Sequence, residues 1–160
     1  MNRARYHAEY VAQVKTLFKA LTPDDFGTGF VIGIGRDPGV GGRRVASHTL
    51  YAYVPVTISL MHGRILLYEN TGWLYDTRAS DQRHALTWAI RGDLALTRRI
   101  AAIGERFGAT VGDTEFQAGI RGAIVPDRIQ LDLSYGGTWA DSGGGAGWTL
   151  GVTLISKRIL

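Results

Sequence analysis

Cysteine is absent from the 160 residues, which excludes a disulfide framework and thiolate metal sites. Proline is scarce, at 4 residues, and lysine occurs only at Lys15, Lys19 and Lys157. No apolar run approaches the roughly 18 residues that a membrane-crossing helix needs, so a helical membrane bundle is excluded. Met1 to Lys15 carries basic residues with no apolar stretch or small-residue cleavage site after them, so no signal peptide is visible. His7, His48, His62 and His84 have no metal-ligating spacing, and neither a metal nor a cofactor is expected. The net charge of +4 is scattered, and its one basic cluster, Arg36, Arg43 and Arg44, lies in a glycine-rich loop; nucleic acid is not an expected partner.

What the chain does have is glycine, 22 residues of it, within a composition that is 45% hydrophobic and 20% charged. That is a folded chain with tight turns and thin-walled strands, one domain over residues 1–160, with residues 1–7 expected to be a disordered N-terminus. The stretch Thr114 to Tyr135 is the most informative. Phe116, Ala118, Ile120 and Ile124 alternate with Glu115, Gln117, Gly119 and Arg121; after Val125-Pro126-Asp127, Ile129, Leu131, Leu133 and Tyr135 alternate with Arg128, Gln130, Asp132 and Ser134. A period of two predicts a β-hairpin with one oily face and one polar face.

The same pattern predicts strands at Ala8–Phe18, Thr28–Gly35, Thr49–Leu60, Arg64–Asp76, Arg83–Leu96, Trp148–Ile155 and, less regularly, Ile100–Gly108. Ala8–Phe18 has a second reading as an amphipathic helix, because it holds Ala and Lys and no internal Gly or Pro. The fold class is therefore all-β, an antiparallel up-and-down meander of about 8–9 strands forming a complete or partial transmembrane barrel. Short connections (Met61–Gly63, Thr97–Arg99, Val125–Asp127) alternate with longer ones (Arg36–Ala46, Thr77–Gln82, Gly136–Gly147), as in outer-membrane barrels. Tyr51, Tyr53, Trp73, Tyr75, Trp88, Tyr135 and Trp148 gather towards the long-loop end, and of these Trp73, Tyr75, Trp88, Tyr135 and Trp148 are expected to lie at a lipid interface.

Three stretches carry a family resemblance: Leu67 to Asp76 (LYENTGWLYD), His84 to Trp88 (HALTW), and Phe116 to Arg121 (FQAGIR) with Val125 to Asp132 (VPDRIQLD). They resemble the C-terminal part of a family of Gram-negative outer-membrane barrels described as transporters of the phenol meta-pathway type. The resemblance runs from about Glu9 to the closing strand and rests on strand and turn residues. It implies a channel or transporter for small, aromatic or apolar molecules in the outer membrane of a Gram-negative bacterium, with outer-membrane lipids and the barrel-assembly machinery as partners. Two features depart from that pattern. The chain finishes Lys157-Arg158-Ile159-Leu160 without a terminal aromatic, and nine strands is an odd number for a single-chain bacterial barrel. Either this is the C-terminal portion of a larger barrel, or Ala8–Phe18 is not a strand and eight strands close a small one.

On this register the lumen-lining set, and the candidate substrate path, is Asn70, Arg91, Asp93, Glu115, Gln117, Arg121, Arg128, Gln130 and Asp132; Gln13, Lys15, Asp76 and Glu105 share the face. Charges inside a narrow barrel must pair, so the arginines and carboxylates are expected to form a wall-holding network. Glu69 falls on the opposite, lipid-side face, against the pattern.

An enzyme is not expected. Ser47-His48, with Asp37 or Asp76, would suit an outer-membrane lipid-modifying enzyme, but strand neighbours point to opposite faces and cannot make a nucleophile–base contact without a bulge. Gly33 to Gly39 follows a strand without the spacing of a phosphate-binding loop. The rival class is a soluble lipocalin-like or avidin-like barrel with its apolar face inward around a hydrophobic ligand.

Overall fold

The computed structural model describes residues 10–37, 47–77, 83–126, 128–139 and 146–154. They form nine strands: β1 (Tyr10–Lys19), β2 (Phe26–Asp37), β3 (Ser47–Leu60), β4 (Ile65–Asp76), β5 (His84–Ala95), β6 (Ile100–Ala109), β7 (Glu115–Val125), β8 (Ile129–Thr138) and β9 (Gly147–Leu154). Every strand pairs antiparallel with its sequence neighbour, giving one sheet in the order β1 to β9. No helix occurs among the described residues, so the helical reading of the first segment is overturned, and with it the eight-strand alternative. The N-terminal residues 1–7, the loop arginines Arg43 and Arg44, and the terminal residues 157–160 lie outside the described residues.

The sheet is open, with β1 and β9 as its edges. In a nine-strand meander these two run in the same direction, so they have no antiparallel route to each other. Closure of a barrel, one of the expectations above, is not part of this architecture.

Register assigns every side chain a face. Cross-strand partners such as Lys15, Val31 and Tyr53, or Asp93 and Ile103, or Arg121 and Asp132, share one face. Apolar partners such as Ile32 and Ala52, Trp73 and Leu86, or Ile120 and Leu133, share the other. Away from the edge strands β1 and β9, burial follows face and not polarity. Among the described residues the buried ones are Val31 (0% exposed), Ser59 (2%), Asp93 (9%), Ser134 (8%) and Gly27, Gly29, Gly33 and Gly35 of β2, all on the first face. On the second, even mid-sheet aliphatics stay open: Leu86 at 61%, Ile90 at 57% and Ile120 at 54%. The asymmetry is that of a sheet curled towards its polar face, an arrangement inside out relative to a water-soluble sandwich.

Glycine permits the close packing on the sheltered face. A Cβ on Gly33 would run into the Tyr51 ring, which lies across it to donate from its hydroxyl to Gln13 Oε1 at 2.9 Å, spanning β3 to β1. At Gly119 a Cβ would meet Ser134, whose hydroxyl is bonded by the Gln117 amide.

The short hairpin ends are laced into one rim. The Ser59 N–H donates to the Asp25 carbonyl (2.8 Å), Ala95 N–H to the Arg64 carbonyl (2.8 Å) and Ala123 N–H to the Arg99 carbonyl (2.8 Å). The β3–β4 turn is held in left-handed conformations at Met61 (φ 53°) and His62 (φ 57°), each costing roughly 1–2 kcal/mol for a residue with a Cβ. The Asp24 carboxylate offsets part of that cost by accepting from the His62 N–H at 2.7 Å.

Candidate functional site

The candidate site is a charged cluster at the middle of the sheltered face. Arg91 and Asp93 are two apart on β5, so they point the same way. The guanidinium grips the carboxylate with Nε to Oδ1 at 2.7 Å and Nη2 to Oδ2 at 2.9 Å, a bidentate pair. Arg121 on β7 and Asp132 on β8 are direct cross-strand partners, with Nε to Oδ1 at 2.5 Å. The two pairs join where Arg121 Nη1 approaches Asp93 Oδ2 at 3.6 Å. Between them β6 presents Ala101 and Ile103 to this face, which leaves Arg121 room to reach across the strand. Tyr68, opposite Arg91 on β4, puts its ring 5.6 Å from the guanidinium carbon. Asp93 thus carries two arginines, and each arginine is about a quarter exposed. The cluster compensates its own charge, as sheltered ions must.

Beside it, towards the long-loop end, lies a cavity of about 630 Å³. Tyr53 and Phe107 supply aromatic walls, Asn70, Thr87 and Gln117 supply neutral polar groups, and Glu105 and Glu115 supply carboxylates. Its volume is in the range that receives a small molecule. Neither arginine of the cluster lines it.

The opposite face carries aromatics in contact at the long-loop end. Trp73, Tyr75 and His84 stack with centroids 5.0–6.5 Å apart. Tyr135 and Trp148 meet at 5.3 Å, and Phe116 and Trp139 edge to face at 5.6 Å. Arg106 lies over Trp139 (4.9 Å) and Trp88 (5.8 Å). All five expected interface aromatics, Trp73, Tyr75, Trp88, Tyr135 and Trp148, therefore share this face; Tyr51 and Tyr53 share the end but face the sheltered side.

Of the expected lumen set, Arg91, Asp93, Arg121 and Asp132 come together in the cluster, and Asn70, Glu115 and Gln117 line the cavity. Gln130 shares the face, opposite Ala123 and two residues from Asp132. Arg128 does not belong: the register slips at Ile124, β8 begins at Ile129, and Arg128 sits exposed in the turn, donating its N–H to the Val125 carbonyl. Glu69 does face the apolar side, where Thr71 donates to it at 3.3 Å. Ser47 and His48 are consecutive in β3, and the Ser47 side chain lies outside the described residues. Among the described residues no group of His, Asp and Glu could hold a metal ion. Tyr68, Phe107 and Trp139 were not picked out by sequence. Tyr68 alternates in phase with Asn70, which is the signal that places it; Trp139 lies past the end of β8, where alternation gives none.

Comparison with curated proteins and with solved structures found no match in either. One family model covers residues 2–155, which include all nine strands, and its description makes no link to a transporter of the phenol meta-pathway type. The chain belongs to that family, described as uncharacterised conserved protein UCP029691.

Proposed function

We propose that this chain is an outer-membrane β-barrel protein of a Gram-negative bacterium, or the greater part of one, that gives passage to small molecules. The observation that carries the reading is the inverted sheet. Each large aliphatic left facing water forgoes roughly 1.5–3 kcal/mol of burial, and here most of those on one face are open while ion pairs occupy the sheltered side. Hydrocarbon is the environment in which that distribution is favourable, with the aromatic contacts at one end suited to the boundary between lipid and water. The cavity walls Tyr53 and Phe107 favour a solute with an aromatic or apolar body, oriented by Asn70, Gln117 and the two glutamates.

The test is solute uptake into liposomes holding the refolded chain. Small aromatic solutes are expected to enter faster than into empty liposomes, and Gln117→Trp, which fills the cavity, is expected to slow them. Uptake equal to that of empty liposomes would leave a structural barrel and remove the transport function.

A further inference from the structure

The apolar face ends differently at its two margins, and the short-hairpin margin is basic. Arg64 closes the β3–β4 turn, Arg98 and Arg99 lie between β5 and β6, and Arg128 lies between β7 and β8; all are exposed. The described acids of the same rim are occupied. Asp25 accepts from Lys19 Nζ at 2.7 Å, and Asp24 accepts from the His62 N–H with His62 Nδ1 at 3.4 Å. Among the described residues no carboxylate lies within ion-pair distance of Arg64, Arg98, Arg99 or Arg128. Asp127, outside the described residues, adds one negative charge to the sequence beside Arg128.

Two of these arginines are anchored to the neighbouring strand through the backbone. The Arg64 carbonyl is bonded by Ala95, and the Arg99 carbonyl by Ala123, so successive turns are fixed to each other. Turns two strands apart along the sheet stand roughly 10 Å from one another, which makes a row of cations along the edge of the apolar face. Arginine suits this edge, because its aliphatic stem lies along apolar surface while the planar guanidinium binds phosphate in a bidentate manner.

We propose that this rim is an anionic-lipid contact, in which Arg64, Arg98, Arg99 and Arg128 hold the acidic headgroups of the leaflet where the short hairpins emerge. The inference rests on the membrane reading above and adds to it a lipid class and a direction: the basic rim meets acidic phospholipid, and the aromatic end meets the other boundary.

The full chain is reconstituted in phosphatidylcholine vesicles, and trace spin-labelled phosphatidylglycerol or spin-labelled phosphatidylcholine is added; the immobilised fraction gives relative association. Phosphatidylglycerol is expected to associate several-fold more strongly, with up to about fivefold lost per arginine removed, and the preference is expected to fade with added sodium chloride. R64Q/R98Q/R99Q is expected to lose it, while R64K/R98K/R99K keeps most of it. Equal association of the two lipids with the wild-type chain overturns the inference, and so does a preference undiminished in the glutamine variant. Should that variant not reconstitute, the wild-type salt dependence decides. Loss of the preference on adding inorganic phosphate at constant ionic strength would also overturn it, since the rim would then be a site for a soluble anion. A chain that enters no vesicle and stays a β-rich monomer in buffer removes the membrane reading itself, a result distinct from reconstituted protein without lipid preference.

Discussion

Asp93 stands between two guanidinium groups in a sheltered position, and that placement fixes what its loss would do. Asp93→Asn keeps the size and removes the charge, leaving Arg91 and Arg121 short of compensation. The cost is expected at about 2–3 kcal/mol, between an exposed ion pair and a fully buried one, read from urea unfolding of the folded protein. Asp25 makes a separate prediction. The hydrogen bond from Lys19, then that from the Phe26 N–H, hold its carboxyl below the ordinary value of 3.8. Its stabilising contribution is therefore complete above that value and is lost as pH falls through the lower, folded one. NMR titration of the Asp25 carboxyl is expected to show the depressed midpoint, and Lys19→Met to raise it. Alternation in the sequence was enough to put Arg91, Asp93, Arg121 and Asp132 on one face, because a period of two needs only local order. It gave no sign that Arg121 reaches past Ile103 to Asp93, which depends on how β5, β6 and β7 lie together. Arg128 was misplaced for a local reason: the slip at Ile124 shifts the hairpin end, and the residue falls in the turn.

At the scale of the strand, legibility followed the contrast between faces. Strand β3 sets Leu50, Ala52, Val54, Val56, Ile58 and Leu60 against Tyr51, Tyr53, Thr57 and Ser59, and its span was readable almost to the residue. In β6 both faces mix small, apolar and charged residues, with Gly104 and Arg106 on the apolar side and Ile103 and Phe107 on the sheltered one, so its pattern is weak. The first segment carried helix-forming residues, and pairing with β2 decides in favour of a strand. Two substitutions separate the faces. Ile90→Arg, in the middle of the apolar face, is expected to cost about 2–4 kcal/mol in lipid vesicles, as a charge at the bilayer midplane does. The same change on a soluble surface strand would fall within about 0.5 kcal/mol, so unfolding in vesicles distinguishes the environments. Gly33→Val is expected to displace the Tyr51 ring from Gln13 and cost about 1–3 kcal/mol by overpacking, measured in the same assay.

For the whole molecule the order of strands was legible and its outcome was not. Short and long connections alternate, so the meander could be read directly, but whether the ends meet depends on curvature and strand parity summed over the entire sheet. With β1 and β9 parallel, the edges beside Tyr10, Val14 and Phe18 on one side and Trp148, Leu150 and Leu154 on the other pair with no further strand among the described residues. The inverted distribution of polarity is what makes lipid the expected surroundings of this sheet. It is tested most directly by refolding the chain with and without detergent, following far-UV circular dichroism and the gel mobility of unboiled against boiled samples. β-rich protein is expected only with detergent or lipid, migrating differently before and after boiling; a β-rich monomer stable in plain buffer would overturn the membrane reading.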